Sequence, residues 1–404
     1  MKSESDHQLT RDPKPRRKKV WVAALVVLII VSIGASQAFL GSSRATSQTA
    51  SSEIAGQPSP ELPPLITPTL IYSPSQPTNA DFNASGVNIS EPANYSQLVQ
   101  YTLGLINSDR NQSGVPKVTL SPVESGQQHA DSLAYYGTFG HWDVQGYKPY
   151  MRYTLLGGGG YVEENVYLNY CTYSPQYTDA VFPTACNLRT IESGIANSES
   201  GLMHRDIVCC NNGHRDNILD AFHTSVSIGI AYNSTTDALY LVEDFENSYI
   251  TSESLQLTGT TVTLQGSTQQ DLTGWTGASS GALMVVYYDP TPVPINASEL
   301  TISPACVQFS ELYEPAYCQY RGAYNPGTLV TEVFAPCPQG NKCAPAQYSY
   351  AQQWTQSKSG SFKIVFSIAS FEAIHGPGVY TVYLHPNGGT NESITSLSLF
   401  VSAT

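Results

Sequence analysis

The chain has 404 residues, of which only 13% are charged, with 26 Tyr, 31 Gly and 26 Pro. That balance argues against a cytosolic helical enzyme and suits a polar, β-rich body outside the cell. The net charge is −13, and residues 1–19 are themselves basic. The remainder is therefore more acidic still, which repels nucleic acid and anionic membranes and is compatible with binding cations.

In chain order, residues 1–19 read as a cytoplasmic basic segment ending in the cluster Arg16 to Lys19. Val20 to Leu40 carries no charge and is long enough to cross a bilayer core of about 30 Å. The basic flank stays cytoplasmic, so everything after Leu40 is expected outside. Ser36-Gln37-Ala38 also fits a signal-peptidase site. Residues 20–40 are thus a single-pass transmembrane helix, the preferred reading, or a cleaved signal with the body secreted. Residues 41–94 are rich in Ser, Thr and Pro, cannot bury a core, and read as a semi-extended stalk.

The spacing predicts a first helix over "YSQLVQYTLGLINSDRNQSG", with Leu98, Thr102, Leu105, Ile106 and Asp109 at helical intervals and Gly114 as a stop. A second is expected in "SPVESGQQHADSLAYYG". Ser121 caps it, Pro122 fits its first turn, Val123, Ala130, Leu133 and Ala134 form the apolar stripe, and Gly137 ends it. A third covers "TIESGIANSESGLM", with Ile191, Ile195 and Leu202 on one side. "SVSIGIAYN" and "ALYLVEDFEN" read as strands. Residues 95–250 are therefore expected to be α+β, as an α-β-α sandwich. From 251 to 404 the period becomes two, as in Phe362, Ile364, Phe366 and Ile368. This part reads as an all-β sandwich, open to an immunoglobulin-like arrangement.

All 8 cysteines follow the apolar segment, in two sets: Cys171, Cys186, Cys209 and Cys210, then Cys306, Cys318, Cys337 and Cys343. Outside the cell each set reads as two disulfides, with three pairings open. The adjacent Cys209 and Cys210 are expected to pair with Cys171 and Cys186, in either order. A Cys-Cys-His metal site there would need reduced thiolates outside the cell. Asn-X-Ser/Thr sequons at Asn83, Asn88, Asn94, Asn111, Asn233, Asn296 and Asn391 agree with a glycoprotein.

Three stretches carry the chemistry: "FGHWDVQGYKPYMRYTLLGGGGYVEENVY", "IESGIANSESGLMHRD" and "GHRDNIL". With "LINSDRNQSGVP" and "HADSLAYYGTFGH" before them and two strands after, their order resembles the CAP superfamily (cysteine-rich secretory proteins, antigen 5 and pathogenesis-related class 1; the SCP domain). The resemblance covers about residues 95–248. It implies an α-β-α sandwich with an open cleft holding two histidines and nearby acids. By position these are His141 in "GHW", Glu164 in "EEN" and His214 in "GHR". Glu163 stands where the family has Gly, and strand alternation lets only one of Glu163 and Glu164 point inward; motif position selects Glu164. The second acid is placed at Glu199, the nearer to the apolar helix face.

Two neutral imidazoles, His141 and His214, can hold a divalent, zinc-like metal whose shell water or carboxylate completes. Trp142, Lys148 and Arg152 lie in the same stretch as candidate ligand contacts, with Arg152 read first as a loop anchor. His129 reads as structural or surface, and His204 as an uncertain extra imidazole. "GGGG" at 157–160 is a cleft-side loop, since no Lys-Ser/Thr follows it. No HExxH or Cys-His protease pattern is present. The expected function is a non-catalytic, membrane-anchored binding module for a small lipid, glycan or protein ligand. The alternatives are a metal-dependent hydrolase using His141, Glu164 and His214, and an adhesin or structural surface protein.

Overall fold

The computed structural model describes residues 89–90, 94–170, 191–207, 212–233, 236, 238–274, 281–300, 327–336, 349–387 and 392–402. The apolar segment 20–40, the stalk up to residue 88 and all eight cysteines lie outside the described residues. Among the described residues no helix is long and apolar enough to cross a membrane.

The protein is α+β. Its first sheet has the order β1 (Ile89–Ser90), β4 (Ser225–Asn233), β5 (Ala238–Asn247), β3 (Tyr161–Tyr170), and β2 (Thr119–Leu120) pairs in parallel with β4. β3, β5 and β4 are antiparallel neighbours, with Glu164 opposite Asp244 and Glu163 opposite Phe245. Alternation divides their side chains between two apolar layers. On one face Val226, Ile228, Ile230, Leu239, Leu241 and Phe245 meet helices α1 (Tyr95–Gln112) and α4 (Ile191–His204) through Leu98, Ile106, Ile195 and Leu202. On the other, Val166, Leu168, Ala231, Tyr240 and Val242 meet Ala130, Leu133 and Ala134 of α2 (Ser125–Tyr136).

Helix α2 begins three residues later than its sequence suggests. Ser121 does not cap it: its Oγ accepts from Val123 N at 3.0 Å, a local turn that precedes the helix. The start is set instead by the sheet, where Gly126 N donates to Ser227 Oγ at 3.1 Å. The approach is close enough that a Cβ at Gly229 would lie 2.0 Å from Gly126 O. At the other end Gly137 adopts φ 64°, the left-handed cap expected of it.

On the opposite face, Arg110 of α1 is fully buried. It donates to Pro116 O at 2.7 Å, Ile218 O at 2.6 Å and Asp220 O at 3.0 Å. These bonds fasten the short helix α5 (Gly213–Leu219) to α1. Nothing in the spacing of "SDRNQSG" signals this anchor, because its partners are distant carbonyls.

Residues from 251 on form two further sheets. One has the order β10 (Ser349–Tyr350), β9 (Thr328–Phe334), β8 (Leu283–Pro290), β13 (Gly378–His385), β14 (Ser396–Val401). The other has β11 (Gln353–Gln356), β12 (Ser361–Ser367), β7 (Thr261–Ser267), β6 (Thr251–Thr258). The period-two residues Phe362, Ile364 and Phe366 share one core with Val262, Leu264, Met284, Val286, Val382, Leu397 and Leu399.

The described residues belong to one compact unit spanning 63–404. The boundary expected near 250 carries no exposed linker, because β6 begins four residues after β5. Helix α3 (Pro149–Leu155) packs on β14, and Tyr147, Tyr150, Met151, Tyr153 and Val162 form a joint core with Val379 and Phe400. Polar contacts cross as well: Ser396 N donates to Gly160 O at 2.9 Å and Gly160 N to Glu253 Oε2 at 2.7 Å.

Candidate functional site

The site straddles β3, the edge strand of the first sheet. Alternation sends Glu164 to the α2 face and both its neighbours, Glu163 and Asn165, to the other. The Glu164 carboxylate is fully enclosed and accepts three bonds. Oε1 lies 2.9 Å from His141 Nδ1; Oε2 lies 2.6 Å from His129 Nδ1 and 2.6 Å from an Arg152 amino group. Burial alone would raise this carboxyl, but His129 and Arg152 together outweigh it and hold it well below its usual range. Across the ladder the Asp244 carboxyl is pushed well up, by burial first and by the Glu164 charge second.

An ionised Glu164 is an acceptor, so both histidines must present Nδ1–H to it. Burial, with Arg152 adding to it, lowers the pKa of His129 despite the carboxylate, so that ring is neutral. His129 is therefore neither a surface residue nor a mere space-filler: it is half of the support beneath Glu164. Its place could have been read from the sequence, since it falls four residues before Leu133 on the apolar stripe. Arg152 completes the support, donating to His141 O and Tyr147 O at 2.9 Å each. The loop 138–148 that carries His141 is thereby tied to α3 from beneath.

His214 arrives from the other face of β3, on the first turn of α5. Asp206 aligns it: Oδ2 accepts from His214 N at 2.8 Å and Arg215 N at 3.3 Å, and Oδ1 lies 2.6 Å from His214 Nδ1. One carboxylate thus caps the helix and sets the ring tautomer. The sequence reading passed over Asp206, which the stretch 207–212 separates from its partner. Asn165 Nδ2 donates to His214 O at 3.2 Å and to Glu243 Oε2 at 3.3 Å.

The two rings face each other with centroids 6.4 Å apart and planes inclined by 34°. Each has a carboxylate on Nδ1, which leaves its lone pair on Nε2. His141 and His214 are both partly exposed, with side-chain exposures of 12% and 19%. The supporting carboxylates are buried, so the arrangement is an open pair of imidazoles on a rigid polar base.

Glu199 is buried on α4 beside Glu243 of β5, beneath the face from which His214 comes. Burial raises its carboxyl well above the usual range and Glu243 raises it further; burial also raises Glu243. Two buried carboxyls side by side disfavour ionising together. Glu199 is linked to His214 through Glu243 and Asn165. His204 is exposed at the end of α4, where its charge acts on Asp109. Lys148 is not a cleft contact: its ammonium pairs with Asp289 of β8 at 2.6 Å, and Trp142 packs against that ammonium.

The donor set suits a divalent metal in kind. Two neutral imidazoles with carboxylates on their far nitrogens are the usual partly built zinc arrangement. In distance it is open: Zn–N bonds of about 2.0–2.1 Å at a tetrahedral angle bring two ring centroids to about 5 Å. From 6.4 Å the rings must close by about 1 Å. Consistent with that gap, no group of three or more His, Cys, Asp or Glu among the described residues is arranged to hold a metal.

No family model matches the chain. No curated protein matches it either.

Proposed function

We propose that residues 95–250 are a CAP-like binding module and that the cleft between His141 and His214 is its ligand site. The observation that carries this reading is the ring pair itself, two partly exposed imidazoles held as Nδ1–H tautomers by Glu164 and Asp206. Such a pair takes a divalent metal through Nε2, with water or a ligand atom completing the shell. Bound there, the metal supplies a Lewis-acidic attachment point. His129, Arg152 and Asn165 hold the two loops in place, and Glu164 and Asp206 keep the imidazole protons on Nδ1. The ligand is a small lipid, a glycan or a protein outside the cell. Residues 20–40 anchor the module to the membrane as a single-pass helix, residues 41–94 space it from the surface, and the β-rich part presents it, with disulfides through the two cysteine sets.

The reading is one of binding without turnover, since no nucleophile stands beside a base in the ring pair. The His214–Asp206 dyad is the one feature that favours the hydrolase instead, because it resembles an oriented general base. Zinc-loaded protein incubated with peptide and glycan substrates separates the two. Metal-dependent binding with no product supports the module. Product formation that disappears in His214→Ala, with the fold retained, overturns it in favour of the hydrolase.

A further inference from the structure

We propose that the C-terminal β-rich part is a working component of the cleft, with Ile295 and Leu300 as positioning residues for His141. The inference rests on the cleft reading above and names what sets its geometry. The loop 138–148 is held on its inner side by Arg152 and on its outer side by the segment 293–300, which follows β8. Two backbone bonds join them: Ile295 N donates to Val144 O at 2.9 Å, and Phe139 N donates to Leu300 O at 2.9 Å. They fall on either side of His141 in the loop.

Between these bonds, Ile295 and Leu300 share a small buried cluster with Val144, against which Trp142 and Tyr136 pack. Gly146 allows the approach. A Cβ there would lie 2.4 Å from Val293 O, and its φ of 83° already requires glycine. Below the cluster, Asp289 accepts from Lys148 Nζ at 2.6 Å and from Tyr150 OH at 2.7 Å, all three side chains being buried. Among the described residues His214 has no such support: its contacts there come from Asp206, Asn165 and the α1 anchor Arg110 through α5. The two halves of the ring pair are thus fixed by different parts of the chain. The gap between them is set by how the β-rich part grips one loop.

The test is the double variant Ile295→Ala/Leu300→Ala in the full chain, read by long-range 15N–1H correlations of the histidine rings. We expect the ring signals of His141 to shift and broaden while those of His214 stay in place, with far-ultraviolet dichroism unchanged. Zinc affinity should fall about tenfold, as when an outer support of a ligand is removed. His141 signals identical to those of the unmodified chain would overturn the proposal. Ile295→Val, which removes one methyl group, gives the same readout should the double variant fail to fold. The ring signals test the clamp whether or not zinc binds. A shift of His141 in a chain that takes up no zinc leaves the clamp standing and removes the metal reading alone.

Discussion

Glu164 shows how a single buried charge organises its surroundings. It accepts from His129, His141 and Arg152 at once, and its charge acts on the arginine more strongly than those of Asp143 and Asp244. Glu164→Gln keeps the shape but removes the carboxylate to which the buried Arg152 guanidinium is bonded. We expect a loss of about 3–5 kcal/mol in urea unfolding, the cost of breaking a buried ion pair from one side. A loss below about 1 kcal/mol would mean the pair is solvated in solution. Asp206 both caps α5 and sets the tautomer of His214, and the asparagine variant separates the two roles. In Asp206→Asn the amide oxygen can still accept from His214 N, while the NH2 group now faces His214 Nδ1. The ring should switch to the Nε2–H form, visible in its nitrogen shifts, and zinc affinity should drop by about 10–100-fold. An unchanged tautomer would show that Asp206 does not set it.

The elements of the first sheet work through close contact and alternation. Gly126 and Gly229 let α2 touch β4 backbone to backbone, with no room for a Cβ at either. Gly229→Ala should cost about 3 kcal/mol, at the upper end for overpacking, because the obstacle is a helix backbone and not a flexible side chain. Thermal unfolding checks it, with the exposed Gly213→Ala in α5 as a control that meets nothing within 4 Å. Much of this layer was legible beforehand. Ile195 and Leu202, Leu133 and Ala134, and the alternating Phe362, Ile364 and Phe366 all carry a period that only one element type satisfies. The α2 start was not legible, since Ser227 and not Ser121 fixes it. At the site, His141, Glu164 and His214 come together because their short motifs keep local order. Asp206, Glu243 and the Lys148–Asp289 pair were missed, as each depends on a partner far along the chain or on another sheet. Glu199 was placed by its helical face, which gives its burial, while its partner Glu243 on another element was not legible.

The whole molecule carries more buried acid than its charge requires, and this sets its pH dependence. Burial raises Glu253 to about 7 and Glu392 to about 7, from 4.5. A raised carboxyl stabilises the fold below the unfolded value, and that contribution is lost as pH rises from 4.5 towards 7. Burial lowers His223 to about 4 from 6.5, so its effect has the opposite slope, stability falling as pH drops from 6.5 to 4. With two carboxyls set against one imidazole, stability falls overall as pH rises from 4.5 to 7, and these groups place their joint maximum near the lower end of that range. Glu253→Gln should flatten the fall between pH 4.5 and about 7, and a Tm that rises with pH across that range would refute the assignment. Over the same span the β-rich part and the first sheet unfold as one, given their joint core, so two separated transitions would contradict the single compact unit. The central claim is that the ring pair binds a divalent metal, and calorimetric titration of the full chain with zinc tests it most directly. We expect one zinc per chain, lost in His141→Ala and in His214→Ala and retained in His204→Ala. Binding that survives the double variant His141→Ala/His214→Ala, or no binding by the unmodified chain, would contradict the account.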